Sequence, residues 1–193
     1  MSAQFEPAYH ITLFGNEGFY NPGNGEAETY EGLDRSQNPN NPIWPIIDSI
    51  KKATPGISVR QMNIALAANA QVQQDVKNFY IVEYWNTLRL SEINDQQVAN
   101  NLFDCSINPC IESAAHVMQE AVNSVKPGTL VVDGKIGPLT VAAVNALNGE
   151  AMFNAINAIR KANYEKRVQL SPRMAQWLRV WLNRLIAYKP YTQ

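Results

Sequence analysis

Apolar side chains recur every three or four residues along most of this chain, and this spacing constrains its fold more than any other feature. Such a period places apolar residues on one face of an α-helix. Six stripes of this kind are visible: Trp44, Ile47 and Ile50; Val72, Val76, Phe79 and Tyr80; Val98, Leu102 and Phe103; Ala114, Ala115, Met118, Val122 and Val125; Leu139, Ala143, Ala146 and Leu147; and Met174, Trp177, Leu178, Trp181, Leu182 and Leu185. The last stripe is the strongest, and we expect it to lie in the core. The pattern predicts a mainly α fold.

The main departure from helical spacing lies near the N-terminus. An apolar face within residues 3–16 ends at Gly15 and Asn16, which terminate helices, so Glu17 is expected at a helix end. Residues 21–41 are rich in Pro, Gly, Asn and acidic residues. This composition predicts a short irregular or β-hairpin loop after the first helix, and a long polar loop in a compact protein is usually functional.

Two shorter patterns predict local structure in the second half. Asn94 is expected to cap the helix that carries the Val98 stripe. Residues 132–138 predict a tight turn, because Asp133 can accept hydrogen bonds from the backbone amides that follow it and Gly134 can adopt a positive φ. Val132 and Ile136 are expected to anchor this turn in the core.

Charge and composition exclude several classes of function. The formal net charge is −1, whereas binding nucleic acid needs a basic face. No run of 18 apolar residues occurs, so no membrane insertion is expected, and no Sec-type signal is visible. Cys105 and Cys110 are too few for a zinc site, and both are expected to be free and buried. No metal or cofactor is expected, since no motif for either occurs.

The last third of the chain is rich in basic residues, among them Arg160, Arg167 and Arg184. We interpret them as solvated helix faces rather than as a binding patch.

The chemistry suggested by the sequence is that of carboxylates around a loop. His10 and His116 show no spacing that pairs either with a nucleophile, so a hydrolase triad has little support. Acidic residues instead cluster near the polar loop: Glu17, Glu26, Glu28, Glu31 and Asp34. Glycoside cleavage needs one protonated carboxyl group and usually a second, ionised one. Glu17, at a helix end beside aromatic residues, suits the first role, because burial raises a carboxyl pKa.

Several motifs carry a resemblance to a known family. Glu17-Gly18-Phe19-Tyr20 resembles the EGGY element that opens glycoside hydrolase family 108, a group of N-acetylmuramidases of the secretion-activating-protein type. Glu28-Thr29-Tyr30 and Gly32-Leu33 occupy the places of the family's next element. In the second half, Leu102-Phe103-Asp104 with Asn108, the turn at residues 132–138 with Thr140, and Trp181-Leu182-Asn183-Arg184 resemble a peptidoglycan-binding segment. The resemblance spans about residues 8–187.

The chain departs from the family pattern in the loop. Phe19 stands where EGGY has its second glycine, and the following Pro/Gly segment is two residues shorter. The aspartate that would serve as the second carboxylate is Asn24 here. Glu26 is its substitute only if the loop directs it toward the substrate.

The resemblance implies a lysozyme-like helical fold. Residues 1–93 would form the catalytic segment and residues 94–193 a peptidoglycan-binding-like helical segment, packed together as one compact body. The implied reaction hydrolyses the β-1,4 bond between N-acetylmuramic acid and N-acetylglucosamine. Glu17 would be the general acid, Thr29 would position the water, and Glu26 or Glu28 would orient it. The residues implied to bind the glycan strand are Tyr20, Tyr30, Gly32, Asp104 and Asn108.

The resemblance leaves alternatives open. One is a lytic transglycosylase, in which the muramic 6-hydroxyl attacks in place of water, and another is a catalytically weak or inactive peptidoglycan-binding protein. The family is also associated with lysis or with a holin-like export partner. We therefore expect a chain that is made in the cytoplasm without a Sec signal and that acts on the cell wall after export or lysis.

Overall fold

A computed structural model describes residues 2–13, 20–23, 25–107 and 111–191, with no side-chain description for 111 and 112. The helices run as follows: α1 Phe5–Thr12, α2 Ile43–Ala53, α3 Val59–Ala67, α4 Ala70–Tyr80, α5 Gln96–Ile107, α6 Ile111–Val125, α7 Pro138–Asn145, α8 Gly149–Leu170 and α9 Ala175–Asn183. Two short strands, β1 Thr29–Tyr30 and β2 Leu33–Asp34, pair in an antiparallel manner. The prediction of a mainly α fold with a hairpin after the first helix is confirmed.

The chain divides into two compact units. One unit comprises Tyr9–Glu83, and the other combines Met1–Ala8 with Tyr84–Gln193. The division into residues 1–93 and 94–193, packed as one body, remains a prediction.

The unit at residues 9–83 holds α2, α3, α4 and the hairpin. Asn69 caps α4 by accepting a hydrogen bond from the Val72 amide, and Ser58 forms a capping box with Gln61 at the start of α3. The expected stripe on α4 is largely buried, with Val72 and Val76 fully enclosed. Caps and apolar faces therefore define these helices.

The hairpin is built on a two-residue loop. Glu31 and Gly32 connect β1 to β2 with φ values of 46° and 77°. Positive φ at both central residues defines a type I′ turn, whose twist matches that of the strands. Gly32 adopts this conformation without cost, whereas Glu31 is strained there.

The second unit is centred on α5, α6 and α8. Its core contains Val98, Leu102 and Phe103 from α5, Met118 and Val122 from α6, and Met152, Phe153 and Ile156 from α8. Phe5 of α1 contributes a ring that packs edge-on against Trp85 and Phe103 at 5.7 and 5.6 Å. The expected stripes on α5 and α6 thus lie in the core, except for Val125 at the end of α6, which is 38% exposed.

Three expectations about the helices of this unit are wrong. The α5 cap is Asp95 rather than Asn94, because the Asp95 carboxylate accepts hydrogen bonds from the Gln97 and Val98 amides. The stripe on α9 contains no fully buried residue, and half of the Trp177 side chain is exposed. Leu139 is 81% exposed. The spacing of apolar residues identified the inner face of α9 but not how completely its neighbours cover it. It marked the wrong face of α7, whose buried residues are Thr140, Val141 and Val144.

The predicted turn after α6 is present, and a residue of α6, Gln119, forms hydrogen bonds with it. Asp133 accepts a hydrogen bond from the Lys135 amide at 2.9 Å, and Gly134 has a φ of 72°. Buried Gln119 accepts hydrogen bonds from the Asp133 and Gly134 amides and donates to the Asp133 carboxylate and the Lys135 carbonyl. The expectation that Val132 anchors this turn in the core is wrong, because Val132 is 38% exposed.

Candidate functional site

The expected general acid, Glu17, lies outside the described residues, as do Phe19, Asn24, Asn108 and Cys110. Their proposed roles remain predictions. The remaining candidate residues fall into two groups, one around Glu28 and one around Asp104.

The Glu28 centre consists of Glu28, Tyr20, Arg35, Asp48 and Lys51. One carboxylate oxygen of Glu28 accepts hydrogen bonds from the Tyr20 hydroxyl at 2.6 Å and from the Lys51 ammonium. The other oxygen accepts from the Arg35 guanidinium at 2.7 Å. Arg35 also forms a bidentate pair with Asp48 at 2.8 and 2.6 Å. Two carboxylates and two cations therefore balance in this centre.

These contacts fix the protonation state of Glu28. Burial alone would raise the pKa of its carboxyl group, but the hydrogen bonds from Lys51, Tyr20 and Arg35 outweigh burial and hold the pKa below its ordinary value. Burial, followed by the hydrogen bond to Glu28, raises the pKa of the Tyr20 hydroxyl, which therefore remains a donor. Glu28 is ionised at neutral pH and is unsuited to the role of general acid.

The backbone of the hairpin holds Glu28 and Thr29 in place. Thr29 exchanges two backbone hydrogen bonds with Asn21, at 2.9 and 3.0 Å, and the Arg35 amide donates to the Glu28 carbonyl at 2.9 Å. Glu26 precedes this ladder with an exposed side chain, which has no hydrogen bond or ion pair to any described residue. Glu26 is thus accessible, whereas both oxygens of Glu28 are occupied.

The expected binding residues in the hairpin differ in exposure. Gly32 is exposed at the turn, and Tyr20 is largely buried against its own centre. Tyr30 is only 1% exposed, and its hydroxyl accepts a hydrogen bond from Gln73 at 2.9 Å. Burial raises the pKa of Tyr30 well above its ordinary range.

Sequence reasoning assigned no anchoring role to Glu31, the strained residue of the turn. The Tyr9 hydroxyl donates to its carboxylate at 2.5 Å, and the Tyr80 hydroxyl donates to its carbonyl at 2.6 Å. These two tyrosines, from α1 and α4, hold the positive φ in place. The pattern Thr-Tyr-Glu-Gly-Leu-Asp, with a glycine at the second position of a two-residue loop, was the available signal for the turn.

The Asp104 centre consists of Asp104, Asn101, Arg160, Tyr164 and Arg184. Arg160 donates to the Asp104 carboxylate at 2.5 Å, and Arg184 donates to it at 2.5 and 3.0 Å. Arg160 also donates to the Asn101 side chain at 2.5 Å and to the Tyr164 hydroxyl at 3.0 and 3.3 Å. Both Asp104 oxygens are occupied by cations of this chain, so a role for Asp104 in substrate binding remains a prediction.

Sequence reasoning missed the importance of Arg160. Its side chain is 2% exposed and that of Arg184 is 15% exposed, so the interpretation of both as parts of solvated helix faces is wrong. An arginine is rarely buried unless it is paired, and here Asp104 supplies that pair. The neighbouring Cys105 is buried and forms no disulfide with a described residue.

Two features are absent from the described ranges. No group of three or more His, Cys, Asp or Glu side chains within them could hold a metal ion. No helix within the same ranges is long and apolar enough to span a membrane.

Comparison with known proteins gives the family context. Residues 13–109 match the family described as Glycosyl hydrolase 108, and residues 113–186 match one described as Predicted Peptidoglycan domain. No match was found among curated proteins. The fold is similar to that of a solved structure, Brucella abortus SagA, with a TM-score of 0.58 and 18% identity, covering 93% of this chain and 88% of that chain.

These matches agree with the resemblance carried by the sequence motifs. The first match includes Glu17 and the Glu28 centre, and the second includes Arg160 and Arg184. Together they indicate an enzyme that hydrolyses peptidoglycan. The chain belongs to glycosyl hydrolase family 108.

Proposed function

We propose that this chain hydrolyses the β-1,4 bond between N-acetylmuramic acid and N-acetylglucosamine in peptidoglycan. Glu17 acts as the general acid that protonates the leaving oxygen. A water molecule positioned by Thr29 attacks the anomeric carbon. The reaction uses no metal or cofactor.

The observation that carries this proposal is the fixed ionisation of Glu28. Glycosidases usually combine one carboxyl group that remains protonated with one that remains ionised. Lys51 and Arg35 keep Glu28 ionised, directly beside Thr29 in the chain. An ionised carboxylate of this kind is the second group that such a reaction uses.

Glu26 and Glu28 suit different tasks within this proposal. Both oxygens of Glu28 already accept hydrogen bonds, so its contribution is electrostatic. Glu26 has an exposed carboxylate and is the better candidate to orient the attacking water. Tyr20, Tyr30, Gly32, Asp104 and Asn108 complete the proposed glycan-binding set, in which Tyr30 is buried and the side chain of Asp104 is 14% exposed.

The site of action would be the cell wall. The enzyme would reach it from the cytoplasm through a holin-like export partner or after lysis. This part of the proposal rests on the family resemblance and on peptidoglycan as the substrate.

Product analysis tests the proposal and separates it from its alternatives. Purified peptidoglycan would be digested with the wild-type chain, and the released fragments would be examined by mass spectrometry before and after borohydride reduction. Muramidase action gives fragments with reducing N-acetylmuramic acid ends. Anhydro-muramic ends would identify a lytic transglycosylase, and reducing N-acetylglucosamine ends would place the cut at the other bond.

A binding protein without activity is the second candidate, favoured by Phe19 and Asn24 in the loop. It would release no fragments but would still sediment with insoluble peptidoglycan. Release of no fragments, or either of the alternative chain ends, would overturn the proposed reaction.

A further inference from the structure

A cavity of about 210 Å³ lies beside the Asp104 centre. It is lined by Cys105 from α5, by Ser113 and Val117 from α6, and by Arg160, Asn163, Tyr164 and Arg167 from α8. Cys105 and Val117 are buried and give the cavity an apolar wall. Pockets for drug-sized ligands typically span about 300–1,000 Å³, so this cavity suits a smaller group.

Tyr164 presents an unused donor to this cavity. Its side chain is 4% exposed, and its oxygen accepts two hydrogen bonds from Arg160. The hydroxyl proton has no acceptor among the residues that the structure describes. A buried donor without an acceptor is costly, and a ligand oxygen in the cavity would relieve that cost.

Arg167 presents a positioned cation to the same cavity. Its guanidinium lies 5.7 Å from the centroid of the Trp181 ring, and the Tyr164 ring lies 5.5 Å from the same ring. The guanidinium forms no hydrogen bond or ion pair with any residue in the described ranges. Stacking on Trp181 restricts this side chain, which lowers the entropy lost when its N–H groups bind a ligand.

The charges around the cavity favour an anion. Arg160 and Arg184 share the single carboxylate of Asp104, and Arg167 adds a third guanidinium. Ser113 and Asn163 can supply further donors. A group with two acceptor oxygens and one negative charge matches this set, and a carboxylate is such a group.

We propose that this cavity binds a free carboxylate of the peptide stem of peptidoglycan. Stem peptides carry free carboxylates, whereas the N-acetylglucosamine units of the glycan are uncharged. Most of the lining residues belong to the segment that matches the peptidoglycan domain. The choice of peptide rests on peptidoglycan being the substrate, as proposed above. The cavity would hold the stem while the glycan strand is cleaved elsewhere.

Titration calorimetry with a soluble stem peptide tests this inference. The peptide L-Ala-γ-D-Glu-meso-diaminopimelate-D-Ala would be compared with the same peptide amidated at its carboxylates and with a chitin tetramer. We expect the wild-type chain to bind the free peptide at least about tenfold more tightly than the amidated one, as for a lost charge-assisted hydrogen bond. The chitin tetramer should not displace the peptide.

Two variants and one control locate the binding. Arg167→Gln removes the cation and should weaken peptide binding by about tenfold or more, and Tyr164→Phe removes the donor and should weaken it by a smaller factor. Lys166→Gln is the control, because Lys166 is the exposed neighbour of Arg167 and does not line the cavity. It removes the same charge and should have little effect on peptide binding. Arg167 is exposed, so its variant is expected to fold.

Three results would overturn the inference: no binding of the free peptide, equal binding of the amidated peptide, or unchanged binding by Arg167→Gln. Full displacement of the peptide by acetate at the same concentration would reject the stem and leave only a general carboxylate site. The peptide contains no glycosidic bond. A chain without hydrolytic activity can therefore pass this test, and an active one can fail it.

Discussion

The Glu28 centre and the Asp104 centre each hold one carboxylate between two cationic side chains, but they differ in charge balance and exposure. Around Glu28, Asp48 supplies a second negative charge, and the Arg35 and Lys51 side chains are 34% and 38% exposed. Around Asp104, two arginines share one carboxylate, and the side chain of Arg160 is 2% exposed. The tyrosines differ as well, because Tyr20 donates to Glu28 whereas Tyr164 accepts from Arg160.

The Glu28 centre is therefore balanced in charge, whereas the Asp104 centre is not. Every charge at Glu28 has a partner within the chain, so the centre supports the hairpin and fixes one ionised carboxylate. The Asp104 centre retains excess positive charge and an unused hydroxyl donor beside a cavity. Burial makes its charges costly to separate, while its imbalance makes it suitable for binding an anion.

The largest expected effect is at Asp104. Asp104→Asn would leave Arg160 and Arg184 without a counter-charge, and the side chain of Arg160 is only 2% exposed. We expect a loss of about 3–5 kcal/mol in the free energy of unfolding, measured by urea denaturation. A loss below about 1 kcal/mol, together with weaker glycan binding, would instead support the role of Asp104 in substrate binding.

A smaller loss is expected at Glu28. Glu28→Gln would leave Arg35 and Lys51 without its charge, but both are exposed enough to be hydrated, and Asp48 remains beside them. We expect the free energy of unfolding to fall by about 1–3 kcal/mol. The same urea series would report it, with Asp104→Asn as the reference. If the two variants lost equal stability, the contrast in burial between the centres would be wrong.

A centre held by a neutral amide instead of a cation calibrates these two. The side-chain amide of buried Gln119 forms four hydrogen bonds with the turn at residues 133–135 and carries no charge. Gln119→Leu keeps a similar volume but removes those bonds, and we expect a loss of about 1–2 kcal/mol. A loss as large as that of Asp104→Asn would mean that the burial of polar groups, rather than their charge, determines how much stability each variant loses.

The pH dependence of the Glu28 centre should be the smallest and most specific signal. The pKa of the Glu28 carboxyl group is lowered in the folded chain. The stability that the ionised carboxylate adds to the fold is therefore fully present above the unfolded pKa of about 4.3, and it is lost as the pH falls through the folded pKa. The stability difference between wild type and Glu28→Gln should stay constant from about pH 7 to 5 and shrink below about pH 4. Val76→Ala, a buried apolar change on α4, should show no such narrowing.

The sequence predicted α2, α4, α5 and α6 because apolar spacing acts locally, but it marked no stripe on α3 or α8 and the wrong face of α7. It failed for α9 because the Trp177 stripe indicates which face points inward, while the number of helices packed against that face depends on the tertiary structure. It also failed for Arg160, since an arginine on a helix looks solvated until a distant carboxylate, here Asp104, is placed beside it.

The candidate site was predictable in part. Motifs singled out Glu28 and Thr29, but nothing near Glu28 in the sequence identifies Lys51 of α2 as its partner. The strain at Glu31 and its two tyrosine anchors likewise depend on contacts between Tyr9, Tyr80 and the hairpin. Short-range motifs therefore identified the carboxylates, whereas the groups that determine their protonation state were identified only from the fold.

The rate of peptidoglycan clearing by Glu17→Gln tests the central claim most directly. A positioned general acid typically contributes about 10²–10⁴-fold to the rate, and the amide is nearly isosteric. The variant should therefore lose about that factor while retaining its unfolding midpoint and its binding to insoluble peptidoglycan. Glu165→Gln, an exposed change on α8, serves as the control and should clear at the wild-type rate. Wild-type clearing by Glu17→Gln would contradict the assignment of Glu17 as the general acid.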